Sequence, residues 1–277
     1  MDPLKKFTLT ALALMVSGQV AAADYNKVSE IPFKDENFKQ CVLAQQIEDP
    51  AAITKLSCSQ FAINNIDELE YFPALKELQL SGPELKQVDL SHNPELESVF
   101  ITKSKIEKID ISHNPQLKEL GVSFNQLTDI DLSHNPQLTD LAVVANKLTT
   151  LDLSKNPQLK YLLAERNQFT TLDFSQNPNL VQAGLSENQL ATVNVSKNSK
   201  LKSLSLMYNQ MVELDVTHNV ALEKLRLTDN KLTSIDVSKN PKLRALWATD
   251  NTLKKLDISA NPYLDDYEAD DGVEVIK

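Results

Sequence analysis

The sequence predicts a curved solenoid of α/β class, predominantly β: a stack of about ten coils of 21–22 residues with a cap helix at its N-terminal end. Two observations carry this. A heptapeptide returns at a fixed interval, as Val88-Asp-Leu-Ser-His-Asn-Pro, Ile109-Asp-Ile-Ser-His-Asn-Pro, Ile130-Asp-Leu-Ser-His-Asn-Pro and Leu151-Asp-Leu-Ser-Lys-Asn-Pro. Looser copies begin at Leu172, Val193, Leu214, Ile235 and Leu256, every step being 21 residues with no insertion. A second apolar pattern fills the interval between copies. A fixed period of this length marks a repeat architecture, in which one unit cannot bury its own apolar face but stacked units share a continuous core.

Taken in order, residues 1–23 read as a signal peptide. Lys5 and Lys6 precede an apolar stretch from Phe7 through Val16, and Ala21-Ala22-Ala23 offers a small-residue cleavage site. That stretch falls short of the roughly 20 residues of a bilayer anchor, and no later segment is apolar enough to serve. No cysteine stands at the cleavage site to accept lipid, and residues 265–277 form an acidic C-terminal cap or tail without a hydrophobic or sorting motif. The mature chain is therefore expected to be soluble, without membrane insertion, monomeric, and periplasmic or secreted.

Residues 24–52 read as an N-terminal cap region. From Asp35 to Gln46, Phe38, Cys41 and Val42 share one helical face, with Asp35 or Asn37 near the start as N-cap. Cys41 and Cys58 are the two cysteines of the chain. In an oxidising compartment they point to a single disulfide more than to a metal site. Cys58 falls at an inward-facing strand position of the first coil, so the bond would pin the helix over the open core.

Residues 53–264 are the repeat domain. Its second pattern is clearest as Leu222-x-x-Leu225-x-Leu227-x-x-Asn230-x-Leu232, the leucine-rich-repeat consensus. Looser copies start at Leu75 and, 22 residues upstream, at Ile53. Triplets of Leu-x-Leu type, at 78–80, 99–101, 120–122 and onward to 246–248, alternate inward and outward as parallel strands require. The Val-Asp-Leu triplets are candidates for a second, flatter strand on another face. Coils this short leave little room for helices, so the convex side is expected to be extended or turn-like. Two asparagine columns, Asn125 to Asn251 and Asn93 to Asn261, read as structural, their amides satisfying backbone groups left unpaired at turns. Pro94, Pro115, Pro136, Pro157, Pro178, Pro241 and Pro262 follow the second column and fix φ where the chain turns. Leu264 and Tyr267 continue the inward spacing. Val273 to Ile276 could add a last edge strand whose flanking carboxylates discourage further pairing.

The 21-residue unit with Leu-Asp-Leu-Ser-x-Asn-Pro resembles the short leucine-rich repeats of internalin-like bacterial proteins, over about Ile53 to Leu264. Members of that family often engage host or other surface proteins through the concave sheet. The resemblance therefore implies an extracytoplasmic binder, with adhesion or virulence as its setting.

The residues agree with a binder and not with an enzyme. Histidine, aspartate and serine recur as ladders, not as one converging constellation, and with five glycines there is no Gly-rich phosphate loop. Net charge is -10, with Lys and Arg scattered among carboxylates, which disfavours nucleic acid. His92, His113, His134 and His218 share one repeat position, the first three close enough on successive coils to suggest zinc. Lys155, Gln176, Lys197 and Lys239 fill the same column, which marks it as an exposed polar position; no metal or cofactor is expected. The column Asp89, Asp110, Asp131, Asp152, Asp173, Asp215, Asp236 and Asp257 stacks like charges. Hydrogen bonds to turn amides or the following hydroxyls would offset this, with bound calcium a minor option. Asn194 in that column keeps the acceptor and drops the charge, favouring the hydrogen-bond role.

Outward positions of the concave sheet vary without harming the core, and several are large and apolar, the mark of an interaction surface. Phe100, Phe124, Val144, Tyr161 and Leu163 could form one strip, and Met207, Tyr208 and Trp247 a second; Arg166 and Arg226 belong to the same face. Aromatics and arginine are the types that dominate interface energetics. A protein partner, host or bacterial, is the expected ligand. The rivals are a periplasmic structural or envelope protein, and a carbohydrate binder using the exposed aromatics.

Overall fold

A computed structural model describes residues 25–82 and 84–277, so the signal-peptide reading of residues 1–23 lies outside the described residues. The strands are β1 (Lys55–Ser57), β2 (Glu77–Ser81), β3 (Ser98–Thr102), β4 (Glu119–Gly121), β5 (Asp140–Ala142), β6 (Tyr161–Leu163) and β7 (Gln182–Gly184). They continue as β8 (Ser203–Ser205), β9 (Lys224–Arg226), β10 (Ala245–Trp247), β11 (Lys255–Asp257), β12 (Asp266–Glu268) and β13 (Glu274–Ile276). Strands β1 to β10 and then β12 form one parallel sheet of eleven strands in chain order. The register steps by one period throughout: Leu78 faces Val99, Leu120 faces Leu141, Leu204 faces Leu225, and Leu246 faces Tyr267. The sheet exceeds the expected count of about ten because the acidic tail adds β12.

One apolar core runs the length of the stack. Leu120, Val122, Leu127, Ile130, Leu132 and Leu138 are all buried in a single coil, and equivalent positions repeat from Ile53 to Ile258. Between them the backbone turns, and its polar groups are satisfied by the two asparagine columns. In the first column Asn146 Nδ2 donates to Val122 O and Val143 O, both at 3.0 Å, while its Oδ1 accepts from Leu127 N at 3.0 Å. In the second, Asn135 Nδ2 donates to Ile111 O and Asn114 O, both at 3.0 Å. Its Oδ1 is buried with no hydrogen-bond partner among the described residues, as is that of every member from Asn93 to Asn261. Each of these coils thus leaves one side-chain acceptor unmatched while satisfying two backbone carbonyls, the groups whose burial unpaired is costly.

The Val-Asp-Leu triplets do not build a continuous second sheet. Among the described residues they make one isolated bridge, Asp173 to Asn194, and the terminal pair β11–β13. Each aspartate of the column accepts the backbone N–H two residues on, at 2.8–3.1 Å, and Asn194 does the same for Ser196 at 3.0 Å. These Asx turns bend the chain at the column and direct that amide to its own coil, and they persist where Asp173, Asn194 and Asp257 pair across coils. The hydrogen-bond role expected for the column is therefore the one observed. The final strand β13 accordingly pairs with β11 on this flank and not with the concave sheet.

At the N-terminal end, helix α1 (Glu36–Leu43) is capped by Asp35, whose Oδ1 accepts from Phe38 N at 3.0 Å. Its buried face is Phe38, Cys41 and Val42. A Cys41–Cys58 disulfide, with Cα atoms 5.6 Å apart, ties the helix to the first coil. Phe38 also meets Phe33 and Phe72 edge-to-face, closing the apolar end of the stack.

Candidate partner-binding face

Three residues per coil face outward from the concave sheet: the first and third of each strand and the residue two further on. Immediately after them lies a turn position with left-handed backbone. Lys103, Phe124, Ala145, Arg166, Glu187, Tyr208, Asp229 and Asp250 occupy it, with φ between 54° and 58°. No glycine stands in this column and no β-branched residue either. A β-branched side chain would be a genuine outlier at positive φ, whereas other side chains carry a smaller cost. The sequence reading missed this column; the absence of Val, Ile and Thr at a 21-residue spacing is the signal that could have found it.

This geometry places the candidate residues unequally. Phe124 and Tyr208 project from left-handed positions and are 47% and 52% exposed; Tyr161, first residue of β6, is 42% exposed. Val144 and Leu163 are half-buried on neighbouring coils, so Phe124, Val144, Tyr161 and Leu163 occupy three successive coils of the sheet's middle. Phe100 is different. Its ring lies against Gly121 of the next coil, where a Cβ would come within 2.3 Å of it, leaving Phe100 half-buried and Gly121 buried. Gly184 is covered in the same way by the carboxylate of Glu165. These two glycines do not face solvent, despite their outward register.

Towards the C-terminal end, Met207 and Arg226 are half-buried. The Arg226 guanidinium stacks 4.7 Å over the Trp247 ring, and Trp247 Nε1 donates to Asp266 Oδ1 at 3.1 Å. Trp247 is thus held between a cation and a carboxylate of adjacent coils. Arg166 Nε donates to both carboxylate oxygens of Glu187, at 2.9 and 3.0 Å.

Charge follows the same register. Along the edge of the sheet Glu97 lies between Lys76 and Lys118, and Lys202 pairs with Glu223. These exposed pairs contribute roughly 0–1 kcal/mol each and serve more to balance charge than to hold the stack. Glu165 stands apart: burial in the first place, and then Glu187, push its carboxyl above the usual range.

Away from this face, a shallow hollow of ≈ 760 Å³ follows the aspartate column between Asn194, Asp215 and Asp236. His92, His113 and His134 each sit beside their own coil's serine, with Oγ to Nδ1 distances of 3.0–3.2 Å. Among the described residues no three His, Cys, Asp or Glu side chains converge as a metal site would require. None of the described helices is long and apolar enough to cross a membrane.

The fold is that of a leucine-rich-repeat solenoid, similar to those of internalins. No protein-family profile matches the sequence, and no curated protein matches it. Solved structures do. The functional domain of InlJ from Listeria monocytogenes, which includes a cysteine ladder, is 27% identical with a TM-score of 0.73, over 88% of this chain and 61% of that one. The internalin InlF from the same species is 24% identical (TM-score 0.70, 78% of this chain, 66% of that one). A leucine-rich-repeat protein of Leptospira interrogans is 21% identical (TM-score 0.67, 75% and 57%). The chain therefore spans about three fifths to two thirds of the length of these structures.

Proposed function

We propose that this chain is an extracytoplasmic protein-binding module that recognises a protein partner through its concave sheet, in an adhesive or virulence setting. The observation that carries the reading is the exposure of Phe124, Tyr161 and Tyr208 on one regular wall of strands. Large rings held out from a rigid scaffold bring much contact area for little conformational loss, and large apolar side chains exposed along one wall mark an interaction surface. The Cys41–Cys58 disulfide and the likeness to InlJ support a location outside the cytoplasm.

The test is a three-residue variant, Phe124→Gly, Tyr161→Ala and Tyr208→Gly, compared with the native mature chain in capture of a partner identified by pull-down from host and bacterial surface fractions. Affinity should fall at least about 30-fold, the order of one or more interface hot spots, with thermal unfolding nearly unchanged. Undiminished capture would overturn the proposal, as would loss of folding, which would assign the rings to the core. Fractionation of the native cells decides the setting. Recovery from the medium or outer surface supports adhesion, whereas confinement to the periplasm favours an envelope role.

A further inference from the structure

Across β4 to β7 the outward strand positions, with the outward residue that follows each strand, hold three carboxylates, Glu119, Asp140 and Glu165, and no lysine or arginine. Two of the three are engaged: Ser98 Oγ donates to Glu119 at 3.1 Å and Thr139 Oγ1 to Asp140 at 2.6 Å. Glu165 takes its own backbone N–H but no side-chain donor. Its Oε2 is buried with no hydrogen-bond partner among the described residues, and the nearest cation in sequence, Arg166, is taken by Glu187. The carboxylate rests on the Cα of Gly184, where an alanine Cβ would lie 2.0 Å from Oε1 and 2.7 Å from Cδ. Only a glycine in β7 permits this seat. Half-buried Val144 and Leu163 and exposed Tyr161 lie on the same and the preceding coil.

We infer that Glu165, seated over Gly184, receives a lysine or arginine side chain of the protein partner, flanked by apolar residues that meet Val144, Tyr161 and Leu163. The inference deepens the concave-face reading and rests on it. A partly buried carboxylate without a countercharge is costly to the free chain, and a cation arriving from a partner offsets that cost while neutralising charge at the wall's acidic middle. Burial first, and then the neighbouring Glu187, displace the Glu165 carboxyl upward in the free chain, which agrees with a carboxylate that has no countercharge of its own. Lys224 and Arg226 of β9 lie three coils away, so the face is acidic in its middle and cationic at β9.

The experiment uses the mature chain labelled with ¹³C at glutamate side chains and two probes, acetyl-Leu-Arg-Leu-amide and the same peptide with citrulline, which is close in shape but uncharged. The Glu165 carboxyl resonance should move saturably with the arginine peptide and require at least about tenfold more of the citrulline peptide, consistent with one charge-assisted contact. Gly184→Ala, which lifts the carboxylate off the sheet without demanding a new backbone conformation, should weaken the arginine response by a similar factor while leaving the melting curve close to native. Equal responses to both peptides, no response, or a response untouched by Gly184→Ala would each overturn the inference. Any of these would leave the broader protein-binding reading to be judged by the aromatic variant.

Discussion

Phe124, Arg166 and Tyr208 each sit at φ 57–58°, where glycine or asparagine is the easier choice. Glycine there relieves strain of roughly 1 kcal/mol but adds a similar amount of unfolded-chain freedom, so the two nearly cancel. Phe124→Gly should therefore change the free energy of unfolding by less than about 1 kcal/mol, while Phe124→Val should destabilise by about 1–2 kcal/mol. Urea unfolding of the pair checks this; equal losses for both would mean that the ring, and not the backbone, sets stability at the site. The column is also where sequence reading ran out. The apolar period announces which residues face the core, but nothing in Phe, Arg or Tyr announces a left-handed backbone. Phe100 and Glu165 were unreadable for a related reason. Whether a side chain stands away from a sheet or lies along it depends on the residue one coil further on, and glycine at 121 and 184 decides it.

Among elements, the coil was the most legible, because a fixed 21-residue period leaves one way of stacking. The cap helix followed from Asp35, Phe38, Cys41 and Val42. The second flank strand is present only as the Asp173–Asn194 bridge and the β11–β13 pair, because a Val-Asp-Leu triplet alone does not fix how closely neighbouring coils approach on that flank. The cap has a measurable share of stability. A crosslink between residues 17 apart restrains the unfolded chain by about 3 kcal/mol. Replacing both cysteines by alanine should remove roughly that amount at most. Because each coil contacts only its neighbours, the loss should appear by hydrogen exchange first in α1 and β1, with β4 to β8 still protected. Uniform loss of protection along the stack would show that the cap governs the whole.

For the whole molecule, the aspartate column couples stability to acidity. Hydrogen bonds from the hydroxyl and amide two residues on hold Asp89, Asp110, Asp131, Asp215 and Asp257 below the ordinary aspartate range; for Asp152 and Asp236 the amide comes first. A depressed folded value stabilises above the unfolded value of about 3.9 and loses that contribution as pH falls through the folded one. Glu165, displaced upward, has the opposite sign, but it is one group against seven. The melting temperature should be flat from neutral pH to about pH 5 and fall progressively below about pH 4. Asp110→Asn with Asp131→Asn, following the natural Asn194, should make that fall shallower; an unchanged acid limb would remove the column from the account.

Because no insertion interrupts the coils, the wall works as a ruler graduated at about 4.8 Å, the spacing of neighbouring strands. Excising one whole unit between Glu165 and Arg226 would close the stack again without a seam, yet bring the acidic middle one graduation nearer the cations of β9. Lineages could thus retune which partner spans both marks by gaining or losing entire coils, leaving every side chain that does the recognising as it was.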